Sequence, residues 1–235
     1  MKNLFKNSFQ LKETRCTVIT DWPLGFQIAE RSIRFHRQQL EQYIESDLRF
    51  LHALEPVSAP DKPLIANLMA KAAETANVGP MAAVAGVLAD LVVEDMLNEG
   101  CSVAVVENGG EISAMSDEAI DVALAAGDEP LSKRFGFRLT EFPIGVATSS
   151  GRFSHALSFG DAEAATIFCE HAGLADAAAT AVGNVIKGVN HRRAISRGLD
   201  KAMSIKGVNG ALVIYGGQVG TAGQIPKIIK IDRAR

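Results

Sequence analysis

The sequence predicts an α+β fold. Helical patterns crowd residues 26–100, strand patterns predominate after residue 100, and the regular βαβ alternation of a doubly wound sheet is missing. A third observation concerns packing. Glycine occurs 21 times while Phe, Trp and Tyr make up 6% of the chain, so small and aliphatic side chains must build a core of closely approaching backbones. With 235 residues, no clear repeat and no dividing linker, one domain spanning 1–235 is expected, built of mixed sheets with packed helices.

Residues 8–20 (SFQLKETRCTVIT) alternate as a strand or half of a hairpin, and Asp21-Trp22-Pro23 breaks the pattern. From 26 to 54, Phe26, Ala29, Ile33, Leu40, Tyr43, Ile44 and Leu48 recur at near-helical spacing with charges between them. Pro56, Pro60 and Pro63 mark a loop, and a second helix is expected over 62–77. The run Val78-Gly79-Pro80-Met81-Ala82-Ala83-Val84-Ala85-Gly86 leads into a long helix ending near Gly100, a C′ glycine. Large side chains are scarce in that helix's first two turns, so something must pack close to its backbone. Strands are expected at Cys101–Glu107, Glu111–Met115, 121–126, 135–141, 144–148, 154–159 and 163–170. Helices come next at Asp176–Lys187 and 193–205. Strands return at Ala211–Tyr215 and Lys227–Ile231, around a Gly-rich connection over 216–223.

Composition excludes several classes. There are 24 basic against 27 acidic residues, and a net charge of −3 lacks the basic excess of a general nucleic-acid binder. No run approaches the length of a membrane span, and Met1–Thr20 lacks the apolar stretch of a secretory signal. Cys16, Cys101 and Cys169 are odd in number and far apart, with no CxxC or Cys/His pattern for zinc. A reducing, cytoplasmic setting is expected, with no nucleic-acid or membrane partner and with a homodimer among the assemblies open to the chain.

Four segments can carry chemistry. Asp176 and Thr180 stand four apart, so a helix presents carboxylate and hydroxyl on one face as oxygen ligands for Mg2+. The plainer alternative is that Asp176 caps its helix and Thr180 bonds back to a carbonyl. Asn108-Gly109 reads as a type I′ hairpin turn, or as a place where Gly109 and Gly110 let a ligand lie on the backbone beside Glu111. Thr148-Ser149-Ser150-Gly151 ends a strand with hydroxyls and amides that suit a phosphate, and equally an ordinary polar turn. His155 has the side chain for proton transfer, against a structural or exposed histidine, and Asp161 sits in a Gly-Asp turn that could deliver a carboxylate nearby. No GxSxG elbow, Walker A loop or GxGxxG fingerprint is present.

In order along 78–190, these segments resemble the ApbE family of flavin transferases. Gly86–Asp90 through Asn108-Gly109-Gly110-Glu111-Ile112 is similar to its small-residue helix, strand and Gly-Gly-Asp/Glu turn. Thr148-Ser149-Ser150-Gly151 is similar to its Thr-Ser-Gly turn, and Ala175-Asp176-Ala177-Ala178-Ala179-Thr180-Ala181 to its Ala-Asp-Ala-x-Ala-Thr-Ala helix. The whole chain resembles a shorter ApbE-like branch carrying the Val-Gly-Pro-Met-Ala-Ala-Val-Ala-Gly and Ser-Phe-Gly-Asp-Ala stretches.

The resemblance implies a site for FAD or a related nucleotide with Mg2+, held by Asp176, Thr180 and a main-chain carbonyl at or near Ala82. The 109–111 and 148–151 segments would line the nucleotide, and His155, with Asp161, would serve a protein acceptor. The reaction implied is FMN transfer to a Ser or Thr. The family's lysine falls near Ala85, and its His-x-x-Asp-Pro-x-x-Gly loop is reduced to His155–Asp161. Three readings are open: Mg2+-dependent flavin transfer, non-catalytic flavin or nucleotide binding, and a structural oligomer whose Gly/Ala surfaces pack only on protein. Either ligand reading takes part of the Gly/Ala excess as space cleared for the ligand.

Overall fold

The first residues form a hairpin, β1 (Phe5–Leu11) and β2 (Thr14–Thr20), in a computed structural model that describes residues 2–123, 135–150 and 160–230. The helical period over 26–54 is interrupted once. α1 (Gly25–Ser46) stops at Asp47, whose extended backbone and side chain cap the short α2 (Leu48–His52) by accepting from the Arg49 amide. α3 (Leu64–Ala76) ends on Asn77 in the left-handed conformation. A 3-10 turn (Pro80–Ala83) then feeds α4 (Val84–Asn98), and Gly100 takes φ +107 just past its end, as a C′ glycine does.

The strand period after α4 begins later than its apolar residues suggest. Asp21 Oδ1 accepts from the amides of Ser102 (3.1 Å) and Val103 (2.9 Å), and pairing starts only at β3 (Ala104–Asn108). β4 (Glu111–Met115), β5 (Ile120–Ala123), β6 (Phe135–Leu139), β7 (Ile144–Ser149) and β8 (Ala164–Cys169) come next. The strand expected at 154–159 lies outside the described residues, as do 124–126. α5 (Ala172–Val185) starts four residues earlier than its Asp176, and α6 (His191–Ser204) comes after it. The Gly-rich connection contains a strand that its composition hid. Gly216 and Gly217, both at positive φ, turn β9 (Val208–Tyr215) back into β10 (Gln218–Gly223), before β11 (Lys227–Lys230).

Eight antiparallel strands form one sheet, β1-β2-β3-β4-β7-β8-β9-β10, and β11-β6-β5 form a second. Alternation along the central strands separates two cores. Ala165, Ile167 and Cys169 of β8 join the helices, whereas Ala164 and Phe168 face the small sheet, where Phe168 meets Phe137 edge-on at 4.9 Å. All six residues of β8 are buried, as a strand covered on both faces requires. This is the α+β architecture expected. Among the described residues no single helix is long and apolar enough to cross a membrane; the apolar α3 and the segment Pro80–Asn98 bend through 101°. All three cysteines are free and buried.

Three of the glycines meet at one junction. A Cβ on Gly86 would lie 2.2 Å from the Ala172 carbonyl oxygen, one on Gly173 2.4 Å from Val87 Cγ2, and one on Gly145 2.2 Å from the Ala172 nitrogen. α4, α5 and β7 therefore meet backbone to backbone, and the space expected for a ligand at Gly86 is filled by α5. Gly86→Ala should cost about 3 kcal/mol, because the opposing atoms are main chain and cannot yield. A urea midpoint lowered with unchanged slope would show this, and an unaltered midpoint would contradict the packing.

Candidate functional site

The β3–β4 hairpin turns one residue later than its Asn-Gly pair suggests. Asn108 pairs with Glu111, and the two central positions at positive φ are Gly109 (+72) and Gly110 (+121). Asn108 is thereby released from the turn. Its side chain is buried, and Nδ2 donates to the Ala85 carbonyl at 3.0 Å. The register puts Asn108 and Glu111 on the helix face of the sheet, alongside Cys16, Val106 and Ser113.

The peptide joining Ala85 to Gly86 is held at both ends. Its carbonyl takes the Asn108 bond, and its N–H donates to Asp176 Oδ2 at 3.0 Å. Asp176 does not cap its own helix, whose N-cap is His171; it serves the first turn of α4 instead. Asp90 of α4 returns the arrangement. Its Oδ1 accepts from the Ala172 amide (2.9 Å) and the Ser113 hydroxyl (2.7 Å), and its Oδ2 from the Gly173 amide (2.9 Å). Two carboxylates thus cap each other's helices, satisfying N–H groups that a helix start leaves open.

Desolvation pushes the Asp176 carboxyl up to about 7, opposed by the amides of Gly86 and Ala85 and assisted by the charge of Asp90. Glu111 is held well above the usual carboxylate range, first by burial and then by the charges of Asp176 and Glu107. Among the described residues, the charged neighbours acting on these two groups are carboxylates. Among the described residues no cluster of three or more His, Cys, Asp or Glu is arranged to hold a metal. A cation here would draw on Asp176, the Thr180 hydroxyl and main-chain oxygen, a hard-oxygen set. Thr180 stands one turn beyond Asp176, half-buried. Its hydroxyl makes no bond back to an α5 carbonyl, unlike that of Thr75, which donates to Lys71 at 2.9 Å.

The Thr148–Ser150 segment divides across the sheet. Thr148 pairs with Thr166, and their hydroxyls meet at 2.9 Å on the face toward the small sheet. Ser149 pairs with Ala165 of the helix-side core and so shares a face with Glu111. Ser150 is buried, with no hydrogen-bond partner for its hydroxyl among the described residues. Gly151 and His155 lie outside the described residues. Ala82 lies in the 3-10 turn, which packs against α5. Asp161 is exposed near the C-terminal end of α5, where its N–H donates to Ile186 O (2.9 Å) and its Oδ2 accepts from Gly188 N (3.3 Å).

Sequence reasoning missed Asn108 as an anchor, Asp90 as a cap and Glu163. The buried Glu163 accepts from the amides of Gly216 (3.0 Å) and Gly217 (3.5 Å), bracing the β9–β10 turn. A signal existed for Asp90: it stands one turn past Gly86, a carboxylate on a small-residue helix face.

Residues 25–220 match the family model described as AbpE bacteria. A UPF0280 protein of Methanococcus vannielii is 40% identical, covering 98% of this chain and 95% of the relative. One of Methanosarcina acetivorans is 40% identical over 97% and 90%. Among solved structures, the flavinyl transferase ApbE of Pseudomonas stutzeri superposes with a TM-score of 0.60 at 17% identity, covering 94% of both chains. The ApbE protein of Thermotoga maritima gives 0.63 at 13% identity, over 93% of this chain and 96% of that one. These likenesses agree in fold with the architecture above.

Asn108→Ala would leave the buried Ala85 carbonyl without its donor. A loss of about 2 kcal/mol is expected, and Asn108→Asp should cost more, since it turns a carboxylate toward that carbonyl beside Asp176. Equal stability of wild type and Asn108→Asp in denaturant would refute the anchoring role.

Proposed function

The chain belongs to the AbpE bacteria family, an ApbE-like family, and from that premise we propose that it binds FAD or a related nucleotide with Mg2+ and transfers FMN to a Ser or Thr of a protein. One observation carries this reading: Glu111 and Ser149, from separate strands, share the helix-facing side of the sheet, Asp176 of α5 lies close enough for its charge to act on Glu111, and Thr180 stands one turn beyond Asp176. Two neighbouring, poorly solvated carboxylates, on which no cation acts among the described residues, beside a hydroxyl with no hydrogen bond among them, suit a divalent ion. Asp176 and Thr180 would hold it with a main-chain carbonyl near Ala82. Bound there, Mg2+ would offset pyrophosphate charge and ease departure of AMP.

The chain's own groups would do the rest. Gly109 and Gly110, free of side chains, let a ligand lie on the hairpin backbone, and Ser149, Ser150 and Gly151 offer hydroxyls and amides to phosphate. The pyrophosphate bond breaks and a bond forms from the FMN phosphorus to the acceptor oxygen. His155 takes the acceptor's proton, with Asp161 on the same segment. We place this activity in the cytoplasm and in one domain spanning 1–235, acting alone or as a homodimer.

A second reading, nucleotide binding without transfer, is favoured by Ala85. The resemblance puts a lysine near that position, and here the alanine offers only main-chain groups, its carbonyl to Asn108 and its amide to Asp176. Incubation with FAD and Mg2+ separates the two. Transfer predicts AMP release that falls at least a hundredfold in Asp176→Ala; binding alone predicts an FAD-dependent rise in melting temperature without AMP. If FAD, FMN and adenine nucleotides all leave the melting temperature unmoved, both readings fail.

Asp176, at about 7, is mostly protonated and neutral at pH 6 and ionised at pH 8. A metal must displace that proton, so Mg2+ affinity should rise about tenfold per pH unit below 7 and level off above it. Titrations at pH 6, 7 and 8 giving one affinity would exclude Asp176 as a ligand titrating in this range.

A further inference from the structure

Neither α4 nor α5 has a side-chain cap of its own. The N-cap residues Ala83 and His171 make no capping hydrogen bond, and neither helix carries an acid in its first turn. Each start is instead served from the other helix, by Asp176 on Gly86 and by Asp90 on Ala172 and Gly173. The glycines at the crossing leave no side chain to hold the helices apart. The position of α5 along α4 therefore rests on these bonds and on main-chain contact.

We propose that Asp90 is a positioning residue for the Asp176–Thr180 site, an inference that rests on the metal and nucleotide reading above. Asp90 grips the first turn of α5, three residues before Asp176, and Ser113 fixes the grip to β4. That grip sets where Asp176 and Thr180 stand against the 3-10 turn of Ala82 and against Glu111. Without it, the amides of Ala172 and Gly173 lose their acceptor. The turn that carries Asp176 is then free to shift, although Asp176 itself is intact. Ser113 supplies a control. Its hydroxyl holds the carboxylate from behind, so Ser113→Ala removes a buried hydrogen bond and stability while both amide bonds to Asp90 remain.

The test is Mn2+ binding in the presence of FAD, followed by the electron paramagnetic resonance of free Mn2+, well below every variant's melting temperature. Asp90→Asn should weaken Mn2+ affinity at least tenfold, Ser113→Ala less than twofold, and Asp176→Ala should abolish binding. Asp90→Asn within twofold of wild type, with Asp176→Ala inactive, overturns the positioning role and leaves the function standing. Equal losses in Asp90→Asn and Ser113→Ala also overturn it, by reducing Asp90 to general stability. Wild type that fails to bind Mn2+ with FAD overturns both.

If Asp90→Asn does not fold, the wild type answers through linkage, because a site that depends on the grip must tighten it when filled. Exchange of the Ala172 and Gly173 amides should slow at least tenfold with FAD and Mg2+. Unchanged exchange refutes the proposal.

Discussion

The exchange of carboxylates between α4 and α5 is the constraint on which the rest of the helical layer depends. Helix starts leave N–H groups unsatisfied, and most helices solve this locally with a Ser, Thr, Asp or Asn at the N-cap. Here the solution is mutual, and it works only if the two helices approach within main-chain contact. Gly86, Gly173 and Gly145 meet that condition, since a methyl group at any of them would intrude on backbone or on Val87. Capping and packing are one interaction in this fold. The bonds need the closeness, and the closeness needs the glycines.

The sheet supplies the second half of the geometry. Because successive residues face opposite sides, the β3–β4 turn fixes at once which groups meet the helices. A Gly-Gly turn keeps Asn108 and Glu111 paired and on the helix face, where Asn108 takes the Ala85 carbonyl and Glu111 comes under the charge of Asp176. A one-residue slip would send both to the other side. The same rule splits Thr148 from Ser149, leaving the Thr148 hydroxyl to Thr166 beneath the sheet.

The fold class was legible because it rests on periodicity, which adjacent residues reveal. Gly100 and the helix it ends were legible for the same reason. The features that escaped depend on partners distant in sequence. The start of α5 at Ala172 lacks a local cap because Asp90 provides one from 82 residues away, so local capping rules point to Asp176 instead. β10 escaped because QVGTAG has weak strand composition and is held by pairing with β9. Of the glycines at the α4–α5–β7 junction, only Gly86 falls in a segment the sequence singled out, while Gly145 and Gly173 lie just outside those segments and Gly109 and Gly110 shape a turn. Asp176 and Thr180 were read from their spacing as sharing one helix face, and α5 carries both; the spacing alone left capping and metal binding as alternatives.

Charge is where this chain parts from the pattern it resembles. The resemblance puts a lysine near Ala85; here that position is alanine, and among the described residues the charged neighbours acting on Asp176 and Glu111 are acidic. A pyrophosphate entering such a site adds like charge to a poorly solvated region, which is costly unless a counter-charge enters with it. In a site with lysine, nucleotide and metal can bind in either order, because some positive charge is always present. On the proposed function, the metal ion takes over that duty. Metal and nucleotide must then bind with strong positive coupling, each weak without the other, and the proposed Asp90 grip on α5 acts on the nucleotide through the metal that Asp176 would hold.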